Sequence, residues 1–472
     1  MIFCGTSTYP LSKGGVDVAF VERLSDFIWN PWLLGLFLLT GLYYSVRTGF
    51  FQLFGVRTWM GQTLGQLMKP GRGKGTGITR FQALATALAS TIGTGSIAGV
   101  ATAIWFGGPG AVFWMWVSAF LGMMVGWAEK ILTIKYRSRG ADGTFVGGPM
   151  YYLRDGLNSR FLAGWFAVAC VGGALAGGDL VQSNSIAQAL NMMFGWDRLL
   201  VGIATAALAG VVLAGGIGRI ARFSELLVPV MALLFLGSGA LVLWVRRGYL
   251  PGALKLIVTS ALMPRAAAGG VGGYTLAAAL RYGVARGVFT NEAGVGSSAL
   301  VHAKADVKHP GEQGLWGVVE VFVATVLICT VTALVILTAG VYDPGWVANG
   351  GVPVEPGVPL AVASFAVVMG KAGEGVVSVC LVLFAFSSLL GWSYYGQAAL
   401  EWLVKGKTGR LIWRTAFLMM TVLGSVGDVG FVWQTVDLFT ALMALPNLGA
   451  LLVLSPQVLK CGWEYLQEKQ GV

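Results

Sequence analysis

The stretch Ile92-Gly93-Thr94-Gly95-Ser96-Ile97-Ala98-Gly99 decides how this chain is read. It lies inside an apolar run, 81 to 104, long enough to cross a bilayer, since a span takes roughly 20 residues at a 1.5 Å rise. Three glycines and two hydroxyl side chains within residues 93 to 99 weaken the helical ladder there. Lipid offers no hydrogen bonds to a freed backbone, so a helix that breaks at membrane depth must be covered by protein or line a cavity. Taken alone, the same pattern is also ordinary close-packing surface between helices, and both readings stand at this point.

Composition around the stretch settles the class. The chain has 472 residues, 56% of them hydrophobic and 11% charged, with a mean hydropathy of +0.73, far from the averages of soluble proteins. Apolar runs recur with short polar gaps and no long linker, which reads as one membrane domain, 1-472. The formal charge of +11 does not point to nucleic acid, because the basic residues sit in the gaps and form no stripe. Cys4, Cys170, Cys329, Cys380 and Cys461 have no spacing of a disulfide framework or metal site. His302 and His309 are the only histidines, and no GxxxxGK[ST] sequence is present, which argues against a metal centre, a bound cofactor or an ATP-driven pump. The first 27 residues carry Asp17, Glu22, Arg23 and Asp26 and read as no removable signal peptide.

Eleven spans are expected, at 28-46, 81 to 104, 110 to 134, 161 to 194, 199 to 215, 223 to 245, 272 to 303, 312 to 341, 374 to 402, 411 to 427 and 430 to 457. An odd count puts the termini on opposite sides. Lys74, Arg80, Lys135, Arg137, Arg219, Lys304, Lys405 and Lys460 then fall on one side with most of the basic residues, which predicts an outside N-terminus, a cytoplasmic C-terminus and contact with anionic lipid on the inner face. Residues 253 to 264 read as a short interfacial helix, and 342 to 373 as an outer cap or gate.

A second glycine interruption, Gly269-Gly270-Val271-Gly272-Gly273-Tyr274-Thr275, opens the seventh span, five spans after the first. Paired interruptions at that spacing are the pointer to an inverted-repeat transporter, here with repeats 81-245 and 270-457. Half-helix N-termini offer amides and positive dipole ends to a carboxylate, and loose carbonyls attract an ammonium group or Na⁺, so an amino-acid zwitterion fits both poles. Intramembrane polar residues are candidates by default. Asp179 and Gln182, three apart, share a helical face and bind substrate or ion, or else bond neighbouring helices. Ser387 and Ser388 can offer hard oxygens to Na⁺, or bond back to their own helix. Glu129, Glu225, Asn291, Glu292 and Glu320 are further buried or boundary groups, with Arg281 and Arg286 available to pair with carboxylates as structural or gating ion pairs. A channel would need a repeated filter and an enzyme a clustered acid, base or nucleophile, and neither pattern is present.

The run Gly107-Gly108-Pro109-Gly110-Ala111-Val112-Phe113-Trp114-Met115-Trp116-Val117-Ser118-Ala119-Phe120-Leu121-Gly122 closely resembles the signature of the alanine or glycine:cation symporter family, also called sodium:alanine symporters. Residues 93 to 104, 181 to 190, 281 to 297, 384 to 392 and 441 to 455 are similar to further family segments. The resemblance implies an all-α, LeuT-type fold of five plus five inverted helices with one extra N-terminal helix, and sodium- or proton-coupled uptake of alanine or glycine without an obligate protein partner. It implies that the amides of Gly93, Thr94 and Gly95 hold the substrate carboxylate, with Ser96, Gln182, Gly270, Val271, Thr275 and Trp392 around the substrate. It implies a sodium site of the Ala89 and Ile92 carbonyls, the Phe384 or Ala385 carbonyl, and the Ser387 and Ser388 hydroxyls. The chain departs from the family at Ser96 and Asp179, where Asn is usual, and at Val271, where Phe is expected.

Overall fold

The computed structural model describes residues 31–67, 78–140, 143–262, 276–342, 354–404, 406–427 and 429–470. Gly270, Val271 and Thr275, with the glycine cluster around them, lie outside the described residues.

The chain is helical almost throughout. After α1 (Pro31–Arg47) and three short helical pieces between Phe51 and Leu67, the first broken span follows as α2 (Arg80–Thr91) and α3 (Ala98–Gly107). A capping box starts α2: Thr79 Oγ1 accepts from the Gln82 amide, and Gln82 Oε1 from the Thr79 amide. Next come α4 (Gly110–Lys135), α5 (Arg160–Leu175), α6 (Val181–Phe194), α7 (Arg198–Ala214), α8 (Gly216–Val245) and α9 (Leu250–Leu262). The second half contains α10 (Leu276–Asn291), the short α11 (Ala299–His302), α12 (Pro310–Val321), α13 (Thr330–Ala339), α14 (Val358–Met369), α15 (Lys371–Leu403), α16 (Lys407–Val426), α17 (Val429–Val453) and α18 (Ser455–Gln470). The β-structure among the described residues is a two-stranded hairpin, Ser138–Arg139 with Phe145–Val146, and an isolated bridge between Ile78 and Ala305.

Among the described residues six continuous helices are long and apolar enough to cross a membrane, and shorter apolar helices flank them. Leu208, Val211, Leu226, Leu233, Leu411, Met419 and Leu423 are exposed on α7, α8 and α16. Such a band is costly in water and appropriate against acyl chains. Glycines let helices meet closely: α4 and α12 touch so tightly that a Cβ on Gly317 would lie 2.5 Å from the Gly126 carbonyl.

Several expected boundaries need correction. The span read as 161 to 194 carries a π-turn, Ala176–Leu180, between α5 and α6. Because the π-turn inserts an extra residue per turn, Asp179 and Gln182 do not share a face: Asp179 points to α16 and Gln182 to the break in α2–α3. The span read as 223 to 245 begins at Gly216, which places Glu225 inside α8, where it accepts from Gln82 Nε2 at 2.9 Å. The span read as 272 to 303 stops at Asn291. Glu292 adopts φ +53°, and Gly294 and Gly296 follow at +80° and +84°, left-handed conformations that no α-helix continues through. The last span ends at Val453, and Ser455 opens the separate helix α18. The segment 253 to 264, read as a short helix, overlaps α9, and α14 lies within 342 to 373.

Candidate functional site

The break predicted in the first core span is present and fully enclosed. Helix α2 ends at Thr91, Ile92 and Gly93 leave the helical region, Thr94–Ser96 form one 3₁₀ turn, and α3 starts at Ala98. Ile92 through Ile97 are buried. Polar backbone this deep must find partners in neighbouring side chains, and three helices supply them.

From α6, Gln182 reaches the break: its Oε1 accepts from the Thr94 amide at 3.4 Å, while its Nε2 donates to the Gly177 carbonyl in the π-turn at 3.0 Å. From α15, Ser388 Oγ donates to the Ser90 carbonyl at 2.5 Å. At the preceding residue of α2, Ser387 Oγ lies 3.2 Å from the Ala89 carbonyl and 2.9 Å from the Phe384 carbonyl of its own helix. Gly93 is wedged between these side chains. A Cβ there would sit 2.8 Å from Ser388 Oγ and 3.3 Å from Gln182 Oε1. Gly95 faces the other way, where a Cβ would come within 2.9 Å of Phe289 and Thr290 on α10. Thr94 Oγ1 and Ser96 Oγ are buried without a hydrogen bond, and the Ser96 carbonyl accepts from Thr332 Oγ1 of α13 at 2.8 Å.

Trp392, one turn beyond Ser388, is buried, and its root packs against Gly178 so tightly that a Cβ on that glycine would lie 2.2 Å from Trp392 Cβ. Its ring meets Tyr395 edge-on with centroids 5.4 Å apart. The structure therefore gathers Ala89, Gly93, Thr94, Gln182, Phe384, Ser387 and Ser388 around one break, with Trp392 against the π-turn beside it. Ala385 is buried on the same helix. Asp179 stands apart: its Oδ1 accepts from Thr421 Oγ1 at 2.8 Å, and its Oδ2 has no hydrogen bond.

Among the described residues two buried glutamates pair with a lysine and not with the α10 arginines that the sequence offered them. Arg286 makes a two-pronged pair with Asp437 of α17, at 3.1 and 2.9 Å, and Arg281 lies over the Tyr282 ring. Glu129 and Glu320 instead meet Lys130, at 3.4 and 3.1 Å, a residue that the sequence reading left without a role. The Arg286 fork bridges two helices next to Phe289, and a lysine cannot reproduce its geometry. Arg286→Lys is expected to lower the unfolding temperature of the purified protein, as a weakened buried ion pair would, and an unchanged unfolding temperature would show that the fork contributes nothing beyond its charge.

The profile of the sodium:alanine symporter family matches residues 15–471. The sodium/alanine symporter AgcS of Methanococcus maripaludis is 40% identical over 448 residues, covering 93% of this chain and 95% of that protein. The probable sodium/glutamine symporter GlnT of Bacillus subtilis is 37% identical, covering 95% of this chain and 90% of its own length. Among solved structures, MhsT in complex with L-phenylalanine superposes with a TM-score of 0.54 at 14% identity, over 79% of this chain and 89% of that one, which shows a shared fold. A family match over nearly the whole length, on a bundle of membrane-length apolar helices, identifies a multi-pass membrane transport protein and not an enzyme, and the chain belongs to the sodium:alanine symporter family.

Proposed function

We propose that this protein is a Na⁺-coupled symporter for a small neutral amino acid, alanine or glycine, working by alternating access in the cell membrane. In this reading the chain is one transport domain: an extra N-terminal helix, then repeats 81-245 and 270-457 in a LeuT-type inverted arrangement, with the N-terminus outside and the C-terminus cytoplasmic. The observation that carries it is the enclosed break at Ile92–Ile97, flanked on one side by a carboxamide and on the other by two serine hydroxyls.

Gln182 Oε1 stands at the Thr94 amide where a substrate carboxylate oxygen would bind, so an arriving carboxylate displaces it and frees the carboxamide to contact the substrate. The Gly93 and Gly95 amides complete the cradle, with the Thr94 and Ser96 hydroxyls nearby. The second interruption, Gly269 to Thr275, would supply Gly270, Val271 and Thr275 to the same pocket. Trp392, held by Gly178, limits side-chain room and favours hydrogen or methyl over a long amide.

The Ala89 and Phe384 carbonyls lie 3.2 and 2.9 Å from Ser387 Oγ. Hard oxygens of this kind suit Na⁺, and the Ile92 and Ala385 carbonyls and Ser388 would complete the shell. An inward potential of about 100 mV contributes roughly 2.3 kcal/mol per charge carried in. Ser387→Ala removes one ligand of the ion and none of the substrate. It should raise the sodium concentration for half-maximal uptake about tenfold while leaving alanine saturation near wild type at high sodium, the selective effect of losing one partner of a charge. An unchanged sodium dependence would take Ser387 out of the ion site.

The deciding experiment is uptake of labelled alanine, glycine and glutamine into liposomes holding the purified protein, under an inward Na⁺ gradient with K⁺ in its place as control. Accumulation of alanine or glycine only with Na⁺ supports the reading. Glutamine preference overturns the substrate size argument, and equal uptake under a proton gradient without sodium overturns the coupling.

A further inference from the structure

The segment Glu292–Ser298 enters the transport reading only as the gap between α10 and α11, yet it sits on a dense buried polar network. At its far end Ser298 Oγ accepts from Lys130 Nζ at 2.8 Å. In its middle the Gly294 carbonyl accepts from Asn447 Nδ2 at 2.9 Å, and the same amide nitrogen donates to Glu129 Oε1 at 2.6 Å. Tyr152 donates its hydroxyl proton to Asn447 Oδ1. At the near end Glu292 Oε2 accepts from Ser297 Oγ at 2.5 Å, and the segment continues directly from α10, whose Phe289 and Thr290 stand against Gly95 of the break. His302, one turn past Ser298, places Nε2 at 3.2 Å from Glu320 Oε2 and Nδ1 against Gln313.

Lys130 is the hub. Its side chain is fully buried, and its ammonium group, with three donors, meets Ser298, Glu320 and Glu129. A lysine in such a place is held by its partners and by its surroundings: a Cβ on Gly317 would lie 3.0 Å from Lys130 Cδ, so the stem has no room to swing. The cation is contributed by α4, the carboxylates by α4 and α12, the amide by α17, and the chain they fix is the irregular segment between α10 and α11.

We propose that Lys130 is a positioning residue for transport: its ammonium clamps Glu292–Ser298, and the clamped segment fixes the end of α10, where Phe289 and Thr290 stand against Gly95 of the substrate site. The proposal rests on the transport reading for its kinetic consequence, whereas its structural consequence does not need a substrate.

The test compares wild type, Ser298→Ala and the charge-balanced pair Lys130→Met with Glu320→Gln, all as purified full-length protein. Hydrogen exchange read by mass spectrometry should accelerate in peptides covering 292 to 302 and stay unchanged in α2, α8 and α16. In liposomes the KM for alanine should rise about tenfold with the maximal rate retained, the size of a typical coupling between linked sites. Unchanged exchange at 292 to 302 in both variants overturns the proposal, as does acceleration spread over the whole chain, which would make Lys130 a general support. If wild type carries no alanine, the transport reading fails and the exchange arm alone decides the clamp. If exchange is local but KM is unmoved, the link to the substrate site is overturned.

Discussion

Alanine in place of Gly178 should reduce uptake about ten- to a hundredfold while leaving a folded, monodisperse protein. The added methyl would stand 2.2 Å from Trp392 Cβ and 2.6 Å from Trp392 Cγ. Trp392 Cβ is fixed by the backbone and no rotamer change moves it, so either the π-turn or α15 must shift. Overpacking a close contact typically costs about 1–3 kcal/mol, and each 1.4 kcal/mol is about tenfold in an equilibrium. A π-turn in a span is a local weak point that yields before the long helices do, so the strain is taken up where Gln182 begins its reach to Thr94. Gly164→Ala on α5 is the control: nothing lies within 4 Å of its Cβ position, and a mid-helix glycine replaced by alanine costs nothing or stabilises slightly. Equal uptake by the two variants would mean that the contact between the π-turn and α15 does not govern the site.

What could be read from the residues depended on whether the signal was local. The break at Ile92–Ile97 is written in consecutive glycines and hydroxyls, and it is present where expected. Ser387 and Ser388 were legible because two hydroxyls in an apolar run need oxygen partners, and they find the Ala89 and Ser90 carbonyls. Gln182 was legible for the same reason. The break after Asn291 carries a fainter signal, two glycines at alternate positions in Asn-Glu-Ala-Gly-Val-Gly at 291 to 296, against four glycines in the cluster at 269 to 273. Nor could periodicity place the π-turn, whose extra residue rotates Asp179 toward Thr421. Lys130 carries no local signal of its role. Near the end of a long span a lysine ordinarily extends to the headgroups, and what draws this one inward is Ser298 and Glu320, far off in the chain. Burial of that kind follows from tertiary pairing, which no local pattern records.

Gly93→Ala tests the centre of the site, and its interpretation depends on a second substitution. The methyl would sit 2.8 Å from Ser388 Oγ, 3.1 Å from Ser388 Cβ and 3.3 Å from Gln182 Oε1. The backbone at Gly93, φ −109° and ψ −154°, is open to any residue, so the expected loss is steric and not conformational. Alanine uptake should fall about tenfold or more, in keeping with an overpacking cost of about 1–3 kcal/mol. Ser388→Gly removes both serine contacts and also, on the transport reading, one hydroxyl of the ion site, so it impairs uptake by itself. The informative quantity is the cycle: residues in direct contact couple by about 0.5–3 kcal/mol. Gly93→Ala with Ser388→Gly should therefore transport better than the product of the two single effects, because glycine at 388 makes the room that alanine at 93 needs. Strict multiplicativity would show that the two positions act independently. The close approach of α15 to the broken span would then be a packing detail, with the cost of Gly93→Ala falling on Gln182 instead.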